Sequence, residues 1–177
     1  VETDITNPVN KYGKTKLAGE RSLQRFMPKD AIIIRTSWLY SEFGNNFIKT
    51  ILKLGKEKKE LNVVNDQVGS PTYATDLAEA IFKIINNKFF KANKLPTEIY
   101  HFSNNGEISW YEFAVEALKI SGIDCKVNPI TTKQYPTLAK RPRYTSMNID
   151  KLSKRWNVDT MNWRISLKTC INLLNKS

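Results

Sequence analysis

The run Ala31-Ile32-Ile33-Ile34, leading into Arg35-Thr36, constrains the fold more than any other stretch. A segment apolar at consecutive rather than alternate positions is the pattern of a strand buried on both faces, as in a parallel sheet covered by helices. The flanking segments have the helical period. Residues 8–27 read as a helix stopped by Pro28. A second helix opens at Gly44-Asn45-Asn46-Phe47-Ile48, with Ile51, Leu52 and Leu54 continuing its apolar face. Leu61 to Val64 is a short strand, and Asn65 to Thr72 is a turn-rich loop. Tyr73 to Asn87 repeats Leu77, Ala78, Ile81, Ile84 and Ile85 at helical spacing, a stripe that reads as core. Lys88 to Thr97 is a polar connection, and Ile99 to Phe102 is a strand ending at Ser103-Asn104-Asn105-Gly106.

The last third continues this alternation. Ser109 caps a helix running to Ile120, Glu112 completes a capping box, and Gly122 closes the helix. Cys125 to Ile130 is extended, residues 131–148 have no strong period, and Asp150–Trp156 and Trp163–Leu174 are closing helices. The fold class is therefore α/β.

The chemistry concentrates before the first strand, in Asn7-Pro8-Val9-Asn10-Lys11-Tyr12-Gly13-Lys14-Thr15-Lys16-Leu17-Ala18-Gly19-Glu20. Asn7 is placed to cap a helix and Pro8 suits its first position. Tyr12 and Lys16 then lie four apart on one face. A cation close to a phenol favours phenolate, and such a tyrosine can exchange a proton near neutral pH, as carbonyl reduction requires. The pair alone is not specific: the composition predicts roughly 0.8 Tyr-x-x-x-Lys pairs by chance.

Charge and cysteine usage narrow the alternatives. The net charge is +11, but lysine outnumbers arginine three to one and is spread along the chain, which reads as solvated surface rather than a nucleic-acid or membrane patch. The lysine cluster 53, 56, 58 and 59 is read the same way. The densest apolar run is far shorter than the ~20 residues of a membrane span. Cys125 and Cys170 fit reduced cytoplasmic thiols better than a disulfide framework. His101, the only histidine, has no nucleophile motif beside it and reads as structural, and a lone histidine argues against a metal site.

Tyr12-Gly13-Lys14-Thr15-Lys16-Leu17-Ala18-Gly19-Glu20 resembles the active-site helix of the extended short-chain dehydrogenase/reductases, and within them the dTDP-4-dehydrorhamnose reductases. Arg35-Thr36-Ser37-Trp38-Leu39-Tyr40, Asp66-Gln67-Val68-Gly69-Ser70-Pro71-Thr72 and Ala139-Lys140-Arg141-Pro142 resemble further motifs of that family, in the family's order. The resemblance implies Tyr12 as acid/base at a sugar C4 carbonyl. It implies Lys16 as the residue that holds the nicotinamide ribose and stabilises phenolate, so both contact NADPH or NADH. It implies Trp38 against the sugar and Arg141 on the diphosphate. Asn46, beside a helix N-terminus, is a candidate donor to the same substrate, with simple capping as the competing role. The Asp66–Thr72 string is expected to shape the join between two halves.

No Gly-x-x-Gly-x-x-Gly turn occurs among the seven glycines. The chain therefore reads as the C-terminal part of a Rossmann-type extended reductase with its smaller substrate-binding domain, inactive by itself. Residues 1–36 and 73–104 are expected to be what is present of the dinucleotide-binding domain, and 37–72 and 105–177 the nucleotide-sugar domain. The resemblance implies reduction of dTDP-4-dehydro-6-deoxy-L-mannose to dTDP-L-rhamnose, and allows a homodimer. It also allows a non-catalytic regulatory subunit of methionine adenosyltransferase type, or another nucleotide-sugar epimerase or dehydratase.

Overall fold

A computed structural model describes residues 1–92 and 94–176. Helix α1 spans Lys11–Phe26, later than expected, because Asn10 and not Asn7 is its cap. Asn10 is extended (φ −144°, ψ 171°) and its side-chain oxygen accepts from the Gly13 amide at 2.8 Å, which fixes the first turn there. Pro8 consequently precedes the helix.

Strand β1 (Ile32–Thr36) pairs in parallel with β6 (Glu98–Phe102), in the register Ile34 opposite Tyr100. Two further parallel ladders join β2 (Leu39–Tyr40) to β5 (Thr72–Tyr73) and β3 (Glu60–Val64) to β8 (Lys126–Ile130). An antiparallel pair joins β4 (Val68–Gly69) to β7 (Ile108–Ser109). Of the two-residue strands, β4 lies inside the stretch read as a turn-rich loop, because its pairing partner β7 is distant in sequence.

The remaining helices are α2 (Phe47–Glu57), α3 (Ala74–Asn86), α4 (Lys88–Ala92), α5 (Trp110–Ile120), α6 (Asp150–Trp156) and α7 (Trp163–Leu174). Helix α4 interrupts the stretch expected to be a plain connection. Phe90 on it packs edge-on against Trp156, at 5.8 Å between ring centroids, so tertiary contact overrides the polar local sequence. Around α5 the expected capping box is present, with the Ser109 hydroxyl and the Glu112 carboxylate each accepting from the other's backbone amide.

The described residues form two cores. The larger one gathers Ile48, Ile51 and Leu52 of α2, Leu61 and Val63 of β3, Phe113, Ala114, Ala117 and Leu118 of α5, and Leu167, Cys170 and Ile171 of α7. Gly55 lets α2 approach α5, since a Cβ there would lie 2.4 Å from Leu118 Cδ2. The smaller core sets Ala80 and Ile84 of α3 against Tyr100 and Phe102, with Leu152, Trp156 and Val158 closing it. The apolar stripe read on α3 is thus split. Leu77, Ala80 and Ile84 face the core, whereas Ala78, Ile81 and Ile85 are exposed.

Phe113 is fully buried and its ring meets those of Tyr40, Phe47 and Trp163 at 5.3, 5.9 and 6.0 Å between centroids. Phe113→Ala is expected to cost about 3–5 kcal/mol, read as a lower urea midpoint at unchanged m-value.

Candidate active site

Helix α1 presents Tyr12 and Lys16 on one face. The Lys16 Nζ lies 5.3 Å from the Tyr12 ring centroid, and the Tyr12 side chain is open to solvent, with the residue 70% exposed. Lys16 also borders a cleft of about 260 Å³ formed with Thr6, Asn7, Pro8, Gly13, Leu17, Glu20 and Arg35. None of the helix's residues is buried. A guanidinium fork anchors it instead: Arg35 of β1 donates from Nε and Nη2 to the two Glu20 carboxylate oxygens at 2.8 and 2.7 Å. This bidentate pair is half-buried and fixes the helix to the carboxyl half of the strand.

Trp38 lies two residues past the end of that strand. Its backbone is left-handed (φ 48°), unusual for a bulky residue and worth about 1–2 kcal/mol of strain. Two contacts hold it there. The indole stacks on Trp110 at 3.6 Å between centroids with planes 10° apart, and its edge lies against Gly69. A Cβ on Gly69 would fall 2.9 Å from Trp38 Cε2 and 2.3 Å from Thr145 Oγ1, so only glycine leaves room for the indole.

Trp110 carries the geometry onward. With Phe47, Ile51, Leu54, Gln67, Tyr135 and Arg141 it lines a largely apolar cavity of about 370 Å³. Of the residues expected to meet the substrate, Arg141 lines this cavity, whereas Trp38 lies behind Trp110 and Asn46 caps α2 just before Phe47, neither of them in its wall. The Asn46 side chain is committed locally: its oxygen accepts from the Lys49 amide at 3.2 Å and its nitrogen donates to the Ser41 carbonyl at 2.6 Å. The capping role weighed against substrate contact is therefore the one the geometry satisfies.

The Arg141 loop is tied down at both ends. Asp66 accepts from the Thr132 amide and hydroxyl at 2.8 and 2.6 Å, and Gln67 donates to the same hydroxyl at 3.1 Å. The Thr132 hydroxyl holds the Asp66 carboxyl below the usual carboxylate range. Beyond Arg141, the Val68 amide donates to the Arg143 carbonyl and the Thr145 amide to the Val68 carbonyl. Asn10 makes a third tie, donating from Nδ2 to the Lys140 carbonyl at 2.9 Å. Tyr12 and Lys16 therefore sit on an element bonded to the backbone next to Arg141.

Sequence reasoning missed Trp110, Tyr135 and Asn10 as parts of this region. Trp110 has the position of a core residue in the period of α5. Its stack on Trp38, 72 residues away, has no local signature. Asn10 had a signal, since it stands three residues before Gly13 as a cap does. His101 is buried in β6 with its Nδ1 unpartnered, and burial pulls its pKa down from the ordinary 6.5. Among the described residues no group of three His, Cys, Asp or Glu is placed to hold a metal ion.

The RmlD substrate binding domain family matches residues 1–176. The chain is 42% identical over 173 residues to a dTDP-4-dehydrorhamnose reductase of Aggregatibacter actinomycetemcomitans, covering 94% of this chain and 58% of that one. A crystal structure of a dTDP-4-dehydrorhamnose reductase from Clostridium acetobutylicum superposes with a TM-score of 0.89 at 43% identity, over 98% of this chain and 59% of that one. The Bacillus anthracis enzyme of that name, solved in complex with NADP, gives 0.89 at 36% identity over 97% and 58%. The chain thus spans somewhat more than half the length of these relatives.

Two outcomes follow from the site's packing. Gly69→Ala is expected to push the Trp38 ring off Trp110 and diminish the near-UV circular dichroism of the indole pair, with the far-UV signal unchanged. A buried histidine with a lowered pKa favours the fold above pH 6.5 and costs stability as pH falls through the folded value. His101→Gln should therefore flatten the dependence of the urea midpoint on pH below 6.5.

Proposed function

The chain belongs to the RmlD substrate binding domain family, and on that premise we propose that it carries the proton donor and the nucleotide-sugar site of a dTDP-4-dehydrorhamnose reductase. The reaction is reduction of the C4 carbonyl of dTDP-4-dehydro-6-deoxy-L-mannose to dTDP-L-rhamnose. The observation that carries the reading is the Lys16 ammonium 5.3 Å from the Tyr12 ring, on an accessible helix face. In this reading residues 1–36 and 73–104 serve the dinucleotide side, and 37–72 and 105–177 the sugar side.

An ammonium bordering an open cleft, with an exposed phenol 5.3 Å from it, suits the hydroxyls of a ribose, so Lys16 and Tyr12 would hold NADPH or NADH from this side. When bound, that cofactor supplies the hydride that reaches C4. Tyr12 gives its hydroxyl proton to the C4 oxygen as charge develops there, and its exposure lets solvent return the proton. Lys16 stabilises the phenolate left behind. The Trp38 indole offers an apolar face for the deoxysugar. Arg141, at the rim of the 370 Å³ cavity, pairs its fork with the diphosphate, and the aromatic walls of that cavity receive the base. Asn46 then serves as the cap that fixes the first turn of α2, its oxygen on the Lys49 amide. The glycine turn that cradles a dinucleotide does not occur in this sequence, so the 177 residues alone bind dTDP without turning over the ketosugar.

In the whole protein, Tyr12→Phe is expected to lower kcat by about 10²–10⁴-fold with little change in KM. Arg141→Ala should raise the KM for the dTDP-sugar by about tenfold or more and change kcat less. An unaltered kcat in Tyr12→Phe would remove Tyr12 from the chemistry.

A further inference from the structure

We propose that Asn10 is a positioning residue that couples occupancy of the Arg141 loop to the placement of Tyr12, an inference that rests on the nucleotide-sugar reading above. One carboxamide makes two bonds in opposite directions. Its oxygen accepts from the Gly13 amide at 2.8 Å, and its nitrogen donates to the Lys140 carbonyl at 2.9 Å. The first bond sets where α1 begins, and Tyr12 is the second residue of that helix. The second bond reaches a backbone 130 residues away, at the residue immediately before Arg141.

Both elements joined by this strut are lightly held. Helix α1 buries none of its side chains, and the Glu20–Arg35 fork secures it more than two turns beyond its start. Residues 133–144 are all exposed. Within that span, Leu138 packs on nothing and Thr137 bonds only locally, to the Ala139 carbonyl. The firm ties lie to either side of the strut, at Thr132 before it and at Arg143, Tyr144 (whose hydroxyl donates to Glu107) and Thr145 after it. A diphosphate seated on Arg141 would therefore order a segment whose freedom is limited at Lys140 by Asn10 alone among the side-chain bonds described.

Ordering that segment strengthens the bond to Asn10 and so steadies the first turn of α1. By linkage, a steady first turn favours nucleotide binding by the same factor. A single neutral hydrogen bond limits the coupling to about 2- to 10-fold.

The two halves of the strut can be separated. Asn10→Ser keeps an acceptor for the Gly13 amide, since serine caps about as well as asparagine, but has no donor that reaches Lys140. Asn10→Asp likewise keeps the cap and turns a carboxylate towards the carbonyl. The probe is dTDP, added to the 177-residue chain, with amide hydrogen exchange read over residues 14–18.

In the wild-type chain dTDP is expected to slow exchange there by about 2- to 10-fold. In Asn10→Ser and Asn10→Asp the helix content stays the same. Their dTDP affinity falls by a similar factor, and the protection of residues 14–18 is lost while protection around Arg141 persists. Retention of the ligand-induced protection in Asn10→Ser overturns the proposal, as does dTDP binding to the wild-type chain with exchange in α1 unaltered. Failure of the wild-type chain to bind dTDP at all overturns the nucleotide-sugar reading, and the proposal with it.

Discussion

The stacking of Trp38 on Trp110 is the contact on which the candidate site depends. It joins the end of β1 to the start of α5, and through Trp110 it meets Phe47 at 4.5 Å between centroids. Phe47 stacks in turn on Phe113, which lies at the centre of the larger core. The aromatic series therefore runs from a fully buried ring, through Phe47 and Trp110 in the cavity wall, to the half-buried Trp38 indole behind them. Each ring is located by the one behind it, so the outermost inherits the rigidity of the core. This explains why a left-handed tryptophan persists: the strain at one residue is small beside the stacking and burial that hold it.

A second constraint comes from polar groups. Asp76 accepts from Asn104 and from Ser166 (the latter at 2.5 Å), while Asn104 accepts from the Tyr73 amide at 2.7 Å. Three elements, α3, the end of β6 and α7, are thereby tied at a buried point between the two cores. Buried polar groups satisfied in this way specify one arrangement, since any other leaves a donor or acceptor without a partner. Tyr73 is fixed from its other end as well, its hydroxyl donating to Glu42 at 3.0 Å, and burial pushes the phenol up to about 12.

Much of the fold was legible in the residues. The strand at Ile32–Ile34, the capping box at Ser109 and Glu112, and the stripes of α2, α5 and α7 each depend on neighbours a few positions away, although that strand is half-buried and not covered on both faces as its apolar run implied. Elements that owe their form to distant contacts were not legible. Helix α4 forms where Phe90 finds Trp156, and β4 forms where Val68 meets Ser109 and Tyr144. The stripe on α3 gave the helix but not which of its two apolar faces turns inward. The side-by-side placement of Tyr12 and Lys16 followed from helical geometry, and the family motifs pointed to Trp38 and Arg141. The cavity that Arg141 lines was out of reach, because its walls come from five segments spread over residues 47–141.

Cys170 is buried without exposure in the larger core, and burial pushes its thiol up to about 12, whereas Cys125 is only half-buried. An alkylating reagent needs both access and thiolate, and Cys170 has neither while α7 is docked. The two sulfurs thus divide the molecule's chemical history. Cys125 takes up label from the native chain, and label on Cys170 records each occasion on which the larger core came apart.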